Sequence, residues 1–515
     1  MSAPLNEPHR SIRNNWNNQV RRHALMQPDA TALRFQGATI TWAQLESRVG
    51  RFAGVLSRRG VGSGDRVLIL MLNRPEYLEA VLAINALGAL AVPVNFRMTP
   101  PEVAYLAQNS GSHLLITDET LSPLADAVAA QVDSLGDIIV VGDAYEELLA
   151  AAQPAPPVDV RDDAPALIMY TSGTTGRPKG AVLTHSNMQA QSLTCIRALQ
   201  MHGVDEVGFC ASPMFHIAAL GSLAPSLQLG IPTVIYPVGA FDPSTLLDVL
   251  AEEGVTTLFL VPVQWQAMCT EQTRKPRDLS LRVISWGAAP ASDTILKAMA
   301  ETFPNALNVA VFGQTEMSPI TCVLDGEDAL RKLGSVGRVV PTVSARIVDD
   351  EMNDIPTGEI GEIVYRGPTL MQEYWQNPDA TADAFHGGWF HSGDLVRQDD
   401  EGFVFVVDRK KDMIISGGEN IYCAEVENVL YGHPRILEAA VIGRPDGKWG
   451  EVPVAVVALN DPDDFTLAEL TSWLGDHLAR YKHPKELVVV DSLPRNASGK
   501  VVKVALRTSY SPTPA

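Results

Sequence analysis

The most constraining feature of this sequence is a loop rich in glycine and hydroxyl side chains that follows an apolar segment. It spans residues 170–180 and reads YTSGTTGRPKG. The apolar run 166–170 predicts a buried strand that leads into the loop, and Ser186 beyond it is suited to cap a helix. Glycines let backbone N–H groups approach an anion closely, while the hydroxyls and the lysine add donors and positive charge. The loop therefore predicts a polyphosphate site; the alternative is a flexible surface turn, which needs neither the hydroxyls nor the lysine.

The spacing of this loop differs from that of the common nucleotide-binding loop. Gly173, Gly176 and Lys179 do not fit G-x-x-x-x-G-K-[ST], because Gly180 follows the lysine. The patterns G-x-G-x-x-G, G-x-S-x-G and H-E-x-x-H do not occur in the sequence either. Their absence argues against several nucleotide-binding, hydrolase and zinc-protease classes.

Composition and charge restrict the class of protein further. A chain of 515 residues is too long for one ordinary core, and 46% hydrophobic with 19% charged residues describes a globular protein. The formal net charge of −20 argues against nucleic acid as a partner. The five cysteines form no C-x-x-C pair, which favours a reducing compartment without structural zinc. Because no signal peptide, membrane-spanning run or peroxisomal address is recognisable, the expected location is the cytoplasm.

The order of apolar and amphipathic segments predicts an α/β protein. Short apolar runs alternate with helical patterns over residues 67–141, which is typical of a layered α/β domain with largely parallel strands. Residues 334–407 are rich in strand and turn signals, and the last hundred or so residues read as a small α+β unit. We therefore expect a large N-terminal domain over residues 1–408, made of layered α/β subdomains and a β-rich subdomain, and a small C-terminal domain over residues 409–515.

The loop and several later segments resemble the motifs of one enzyme superfamily. YTSGTTGRPKG is similar to the signature of the adenylate-forming enzymes, which include acyl-CoA synthetases, adenylation domains of peptide synthetases and beetle luciferases. Further matches follow in the family's order: FGQTE at 312–316, SGD at 392–394, DRKKD at 408–412, SGGEN at 416–420 and PRNASGK at 494–500. The resemblance covers nearly the whole chain and looks like that of fatty acyl-CoA synthetases.

This resemblance implies which residues bind ATP or AMP. They are Thr171, Ser172, Gly173, Thr174, Thr175, Gly176, Lys179, Gly287, Ala288, Ala289, Phe312, Gly313, Gln314, Thr315, Asp394, Arg409 and Lys500. Thr315 would contact the α-phosphate, Asp394 the ribose and Lys500 the reacting groups, and Glu316 corresponds to the Mg²⁺ ligand. The chain departs from the family pattern with Phe312 in place of a tyrosine, and a phenyl ring can still stack on adenine.

The resemblance also implies acyl and CoA sites. The acyl group would meet His216, Trp286 and Ala288, although a histidine or tryptophan in apolar surroundings is commonly a core residue. The catalytic residues implied are Lys500, Thr315, Glu316 and His216. The glycine-rich segment made of Ser416, Gly417, Gly418 and Glu419 would receive the pantetheine arm of CoA. The small domain is mobile in this family, and its hinge corresponds to Lys411.

The implied reaction joins a carboxylic acid to coenzyme A at the expense of ATP. The resemblance points to a medium- or long-chain fatty acid, an acyl-adenylate intermediate, Mg²⁺ bound with ATP, and CoA as co-substrate. An aryl-CoA ligase and an enzyme that loads a carrier protein remain alternatives within the superfamily. A catalytically silent nucleotide-binding protein is a further alternative, against which the joint presence of Glu316, Asp394, Arg409 and Lys500 argues. A homodimer and peripheral contact with a membrane are both compatible with the resemblance.

Overall fold

The structure is a computed structural model and describes residues 13–171, 177–203, 205–289, 291–460, 464–475, 477–495 and 501–511. The chain divides into two compact units. The larger unit comprises Met1–Ser344 and Arg366–Phe390, and the smaller unit comprises Ala345–Tyr365 and His391–Ala515. The domain boundary expected after Asp408 stays a prediction.

The strands and helices are numbered separately in chain order. The strands are β1 Thr31–Phe35, β2 Ala38–Thr41, β3 Arg66–Leu70, β4 Leu90–Pro93, β5 Leu114–Asp118, β6 Asp137–Val141, β7 Pro165–Thr171, β8 Lys179–Thr184, β9 Gly208–Cys210, β10 Thr233–Ile235, β11 Thr257–Leu260, β12 Val283–Gly287, β13 Leu307–Gly313, β14 Ile320–Leu324, β15 Arg338–Val339, β16 Ser344–Val348, β17 Gly361–Arg366, β18 Glu373–Tyr374, β19 Phe390–Gln398, β20 Val404–Arg409, β21 Ile414–Ser416, β22 Glu419–Ile421, β23 Ile436–Asp446, β24 Gly450–Leu459 and β25 Glu486–Val489. The α-helices are α1 Trp16–Met26, α2 Trp42–Arg58, α3 Pro75–Ala86, α4 Pro100–Ser110, α5 Ser122–Ala129, α6 Asp143–Ala150, α7 His185–Ala198, α8 Ile217–Leu229, α9 Pro243–Glu253, α10 Pro262–Arg274, α11 Asp293–Thr302, α12 Pro378–Ala384, α13 Cys423–Tyr431, α14 Leu467–Gly475 and α15 Lys503–Tyr510.

Two large sheets with mainly parallel strands form the larger unit. One has the order β18-β8-β7-β4-β3-β5-β6, in which β8 pairs antiparallel with both β18 and β7 and the other pairs are parallel. The other has the order β15-β14-β13-β12-β11-β9-β10-β1-β2, parallel from β13 to β1. Helices connect the parallel strands, as parallel pairing requires. The predicted α/β fold class is confirmed.

The core of the first sheet shows why its strands read as continuous apolar runs. Leucine, isoleucine and valine side chains of β3, β4, β5, β7 and β8 pack against α4 and α5 and are almost completely buried. Each such side chain contributes about 1.5–3 kcal/mol through burial. This packing fixes the carboxyl end of β7, where the glycine- and hydroxyl-rich loop begins.

The smaller unit contains a four-stranded and a five-stranded sheet. The first has the order β16-β17-β19-β20, and the second has the order β22-β21-β24-β23 with β25 paired to β24. The long hairpin of β23 and β24 packs against α13 and α14 through buried aliphatic side chains. These elements confirm the small α+β C-terminal part that the sequence predicted.

Two local predictions about helix ends differ from the structure. Helix α7 is capped by Thr184, not by Ser186, because the Thr184 hydroxyl and the Asn187 side chain form a reciprocal capping box. Helical spacing of apolar residues over 467–479 predicts a helix up to Ala479, whereas α14 ends at Gly475. Among the helices of the described ranges, none combines the length and apolar character that a membrane-spanning segment requires.

Candidate active site

The carboxylate of Glu316 accepts two hydroxyl hydrogen bonds in the larger unit. Thr171 Oγ1 lies 3.2 Å and the Tyr374 hydroxyl 3.0 Å from Glu316 Oε1. Thr171 is the last residue of β7, and Glu316 lies in the short 3₁₀ turn Thr315–Met317 after β13. The structure thus brings together two of the residues that the resemblance assigned to ATP and its metal.

The predicted phosphate loop begins and ends beside this cluster. Thr171 and Lys179 are partners across the antiparallel pair β7–β8, so the chain leaves and re-enters the sheet at one place. The ammonium of Lys179 lies 5.2 Å from the ring centroid of Tyr374. Residues 172–176, which include the predicted Ser172, Gly173, Thr174, Thr175 and Gly176, lie outside the described residues.

Tyr374 is a site residue that the sequence analysis missed. It belongs to the two-residue strand β18, where it pairs with Ala181 of β8. Burial and then the negative charge of Glu316 raise the pKa of Tyr374 far above its ordinary range, so the hydroxyl stays a donor. The only sequence signal was the aromatic pair Tyr374–Trp375 within a polar segment.

The carboxyl end of β12 carries the predicted Gly287, Ala288 and Ala289. A Cβ at Gly287 would lie 2.2 Å from the carbonyl oxygen of Val311, so glycine is required where β12 and β13 run side by side. Ala288 has a φ of +65° and is exposed together with Ala289. A non-glycine residue in this region costs about 1–2 kcal/mol, and such strain is typical of ligand sites.

Phe312, Gly313 and Gln314 occupy the corresponding end of β13. Phe312 pairs with Cys322 of β14 and is half-buried, which leaves part of its ring accessible for stacking. Gln314 Nε2 is buried and has no hydrogen-bond partner among the described residues. Both observations are compatible with the nucleotide-binding roles that the resemblance implies, which stay predictions.

His216 is the N-cap residue of α8, and Asn73 bonds the segment just before it. The Nδ1 atom of His216 accepts a hydrogen bond from Ala218 N at 3.2 Å and thereby caps the helix. Asn73, which is 3% exposed, donates to the carbonyl of Ser212 and accepts from Met214 N at 2.8 Å. The sequence analysis missed Asn73, although a polar residue just after strand β3 was the signal that could have identified it.

Trp286 lies within β12 with its indole turned towards β13. Its Nε1 atom donates to Asn308 Oδ1 at 2.9 Å, and Trp286 is 8% exposed. This hydrogen bond supports the interpretation of Trp286 as a core residue. Its predicted contact with the acyl group stays a prediction.

Asp394 and Arg409 form an ion pair in the smaller unit. They are partners across β19 and β20, with Arg409 Nε 2.7 Å from Asp394 Oδ1. The turn before Asp394 is fixed because Ser392 Oγ donates to Ile363 O and accepts from Asp394 N at 3.0 Å. The Ser392 hydroxyl therefore holds the backbone of this turn in place.

The predicted CoA segment is the tip of a β-hairpin. Strands β21 and β22 pair Ser416 with Glu419, and the turn between them consists of Gly417 and Gly418, with φ of +61° and +86°. A two-residue turn with positive φ at both positions favours glycine. The half-exposed ring of Trp449 lies against Gly417, a contact that the sequence analysis did not predict.

The predicted hinge residue Lys411 is exposed and lies between two anchored neighbours of the smaller unit. Lys410 forms ion pairs with Asp350 and Glu362, and Asp412 forms one with Arg507. The hinge itself stays a prediction. Lys500 lies outside the described residues.

The Glu316 carboxylate, with its two hydroxyl neighbours, fits a magnesium ion that is bound together with a nucleotide. Within the described ranges, no three His, Cys, Asp or Glu side chains cluster as a self-sufficient metal site. Mg²⁺ commonly binds through one carboxylate, water and substrate phosphates. A single buried carboxylate flanked by the hydroxyls of Thr171 and Tyr374 has this character.

Comparisons with known proteins agree with this fold. Residues 20–375 match the AMP-binding enzyme family, and residues 425–500 match the AMP-binding enzyme C-terminal domain. The chain is 41% identical to a feruloyl-CoA synthase of an Amycolatopsis species, over 95% of this chain and 98% of that protein. It is 38% identical to a long-chain-fatty-acid–CoA ligase of Mycobacterium tuberculosis, over 92% and 94% of the two chains.

A solved structure extends the comparison to a bound nucleotide. It is that of o-succinylbenzoate coenzyme A synthetase from Bacillus subtilis in complex with ATP and a magnesium ion. It matches 96% of this chain and 99% of its own, with a TM-score of 0.86 and 33% identity. The chain therefore belongs to the adenylate-forming superfamily of AMP-binding enzymes, among relatives that are acyl-CoA ligases.

Proposed function

We propose that this protein is an AMP-forming ligase that joins a medium- or long-chain fatty acid to coenzyme A through an acyl-adenylate. The observation that supports it most is the cluster of Thr171, Glu316 and Tyr374 at the two ends of the predicted phosphate loop. A buried carboxylate with two hydroxyl donors at this place is suited to hold the metal of bound ATP, which the first step of such a ligase requires.

In the first step, a carboxylate oxygen of the acid attacks the α-phosphorus of ATP. The bond from that phosphorus to the pyrophosphate oxygen breaks, and an acyl-adenylate forms. Because both reactants are negative, positive groups must lie close to them. Lys179 and Lys500 are the proposed side-chain cations, and Glu316 would hold Mg²⁺, which neutralises phosphate charge when it is bound.

In the second step, the CoA sulfur attacks the acyl carbonyl carbon. The bond between the acyl carbon and the AMP oxygen breaks, the thiol proton is lost, and thioester and AMP leave. The β21–β22 hairpin is the proposed contact for pantetheine, since its glycine turn offers backbone without a protruding side chain. Rotation of the C-terminal part about Lys411 is proposed to separate the two steps.

An aryl acid is the second candidate substrate. The relative with the higher identity of the two described above is the feruloyl-CoA synthase, at 41% against 38% for the fatty-acid ligase. Apolar pockets distinguish substrates by only about 1–3 kcal/mol per methylene, so small differences in side chains suffice to change the preferred acid.

A substrate panel tests the proposed function. Purified protein is incubated with ATP, Mg²⁺ and CoA and with fatty acids of increasing length, hydroxycinnamates or indoleacetate, and AMP release is measured. We expect AMP release that requires both the acid and CoA, with the highest kcat/KM for medium- or long-chain fatty acids. A preference for hydroxycinnamates would replace the fatty-acid assignment by the aryl one. Acyl transfer to a carrier protein without transfer to CoA, or no AMP with any acid, would overturn the proposal.

A further inference from the structure

Tyr374 is placed to control the orientation of the Glu316 carboxylate. Its hydroxyl and that of Thr171 both donate to Oε1, so neither donor occupies Oε2. A carboxylate held through one oxygen presents the other in a defined direction. Substitution of a residue that hydrogen-bonds a metal ligand typically weakens metal affinity by about 10- to 100-fold.

The backbone around Tyr374 is fixed to both sides of the cluster. Met371 N donates to the carbonyl of Glu316 at 2.7 Å, and Trp375 N donates to the carbonyl of Gly180 at 2.7 Å. In addition, the indole N–H of Trp375 donates to Asn109 O at 3.1 Å. The tyrosine hydroxyl is therefore held in place relative to the carboxylate that it binds.

The ring of the same side chain has a second neighbour. The ammonium of Lys179 lies 5.2 Å from the ring centroid, which is within the range of a cation–π interaction. One side chain thus contacts both the acidic residue and the basic residue that the reaction would use. Substitution with phenylalanine removes the hydroxyl alone, and substitution with leucine removes the hydroxyl together with the ring.

We propose that Tyr374 is a positioning residue that orients Glu316 towards the metal of bound ATP and holds Lys179 through its ring. This inference rests on the proposed function, because it concerns the metal and nucleotide of that same site. Tyr374 lies outside the motifs that carry the resemblance.

The test measures metal binding directly. Mn²⁺ replaces Mg²⁺ and is titrated by electron paramagnetic resonance into the full-length protein saturated with a non-hydrolysable ATP analogue. We expect Tyr374→Phe and Tyr374→Leu to raise the Kd of Mn²⁺ by about tenfold or more, since both lack the hydroxyl. Tyr374→Leu should also weaken binding of the nucleotide itself, which Tyr374→Phe should leave nearly unchanged.

A matched control is Tyr145→Phe. The Tyr145 hydroxyl donates to the buried carboxylate of Glu79 at 2.8 Å in the same unit, and neither residue belongs to the cluster of Thr171, Glu316 and Tyr374. This variant should bind Mn²⁺ like the wild type. Wild-type Mn²⁺ affinity in the folded Tyr374→Phe or Tyr374→Leu variant would overturn the proposal, and either variant suffices if the other does not fold. Loss of Mn²⁺ affinity in a protein that releases no AMP with any acid would support the positioning role and refute only the proposed ligase activity.

Discussion

Arg409 Nε lies 2.7 Å from Asp394 Oδ1, across the antiparallel strands β20 and β19 of the smaller unit. The Asp394 side chain is only 3% exposed, whereas that of Arg409 is 39% exposed. The arginine therefore fixes the orientation of an almost buried carboxylate while part of its own guanidinium stays accessible. Such a pair can bind a ligand hydroxyl through the carboxylate and an anionic group through the guanidinium.

Asp394→Asn tests the predicted contact with ribose. The amide removes the charge that binds both Arg409 and the ligand hydroxyls, and a hydrogen bond to a charged group contributes about 1.5–3 kcal/mol. We expect the KM for ATP in pyrophosphate exchange to rise by about 10- to 100-fold. Asp354→Asn is the control, because Asp354 pairs with Arg346 at 2.6 Å on the surface of the same unit. An unchanged KM for ATP in folded Asp394→Asn would remove Asp394 from the nucleotide site.

Asn73→Ala tests whether the loop before His216 must be held in place. The amide of Asn73 makes three hydrogen bonds, to Ser212 O, Tyr236 O and Met214 N, and their loss leaves buried backbone groups unpaired. We expect the KM for the carboxylic acid to rise about tenfold, together with a loss of about 1–3 kcal/mol in the free energy of unfolding.

The control for Asn73 is another buried asparagine of the same unit. Asn85 also makes three hydrogen bonds, to Ala89 O, Ala166 O and the indole of Trp16, and is 1% exposed. Asn85→Ala should lose comparable stability without a change in the KM for the acid. Equal KM values in both variants would show that Asn73 has only a structural role.

Gly418→Ala tests the proposed pantetheine contact at the hairpin tip. Gly418 has a φ of +86°, and nothing lies within 4 Å of a Cβ built there, so the methyl group would enter open space. We expect conversion of a supplied acyl-adenylate and CoA to thioester to fall by about tenfold or more, while pyrophosphate exchange is retained. Gly358→Ala is matched in backbone strain, with a φ of +91° and equally open surroundings, and should leave both steps unchanged. If Gly418→Ala lost both steps while Gly358→Ala kept them, the assignment of the hairpin tip to CoA binding would be contradicted.

Much of the scaffold could be predicted from the sequence because its signals are local. The apolar runs around β3, β5 and β7 are buried strands in the structure, as their composition and length predicted. The cap of α7 was misplaced by two residues because Thr184 and Ser186 have equal capping chemistry. Only the reciprocal bonds between Thr184 and Asn187 distinguish them.

The contacts of the candidate site were harder to predict because they join distant parts of the chain. Tyr374 reaches Glu316 through the pairing of β18 with β8, and no periodicity reveals the register of a two-residue strand. Trp286 was equally hard to assign, since its sequence context allowed either a contact with the acyl group or a place in the core. The bond from its indole to Asn308, which favours the core, becomes visible only when β12 and β13 lie side by side.

The burial of His185 leads us to expect that the stability of the larger unit depends on pH. It is 2% exposed, and neither ring nitrogen has a hydrogen-bond partner among the described residues. Burial lowers the pKa of His185 from 6.5 to about 4. Below about pH 6.5 the unfolded chain therefore binds a proton that the folded chain does not bind. Stability is fully present above that pH and falls as the pH decreases towards 4.

The expected loss can be measured by urea unfolding followed through tryptophan fluorescence. At about pH 5 this histidine should lower the free energy of unfolding by about 2 kcal/mol relative to pH 7. His185→Leu should reduce the difference between the two pH values by that amount, because the variant has no group to protonate. An identical pH dependence in His185→Leu and the wild type would mean that His185 is protonated in the folded protein, contrary to its burial without partners.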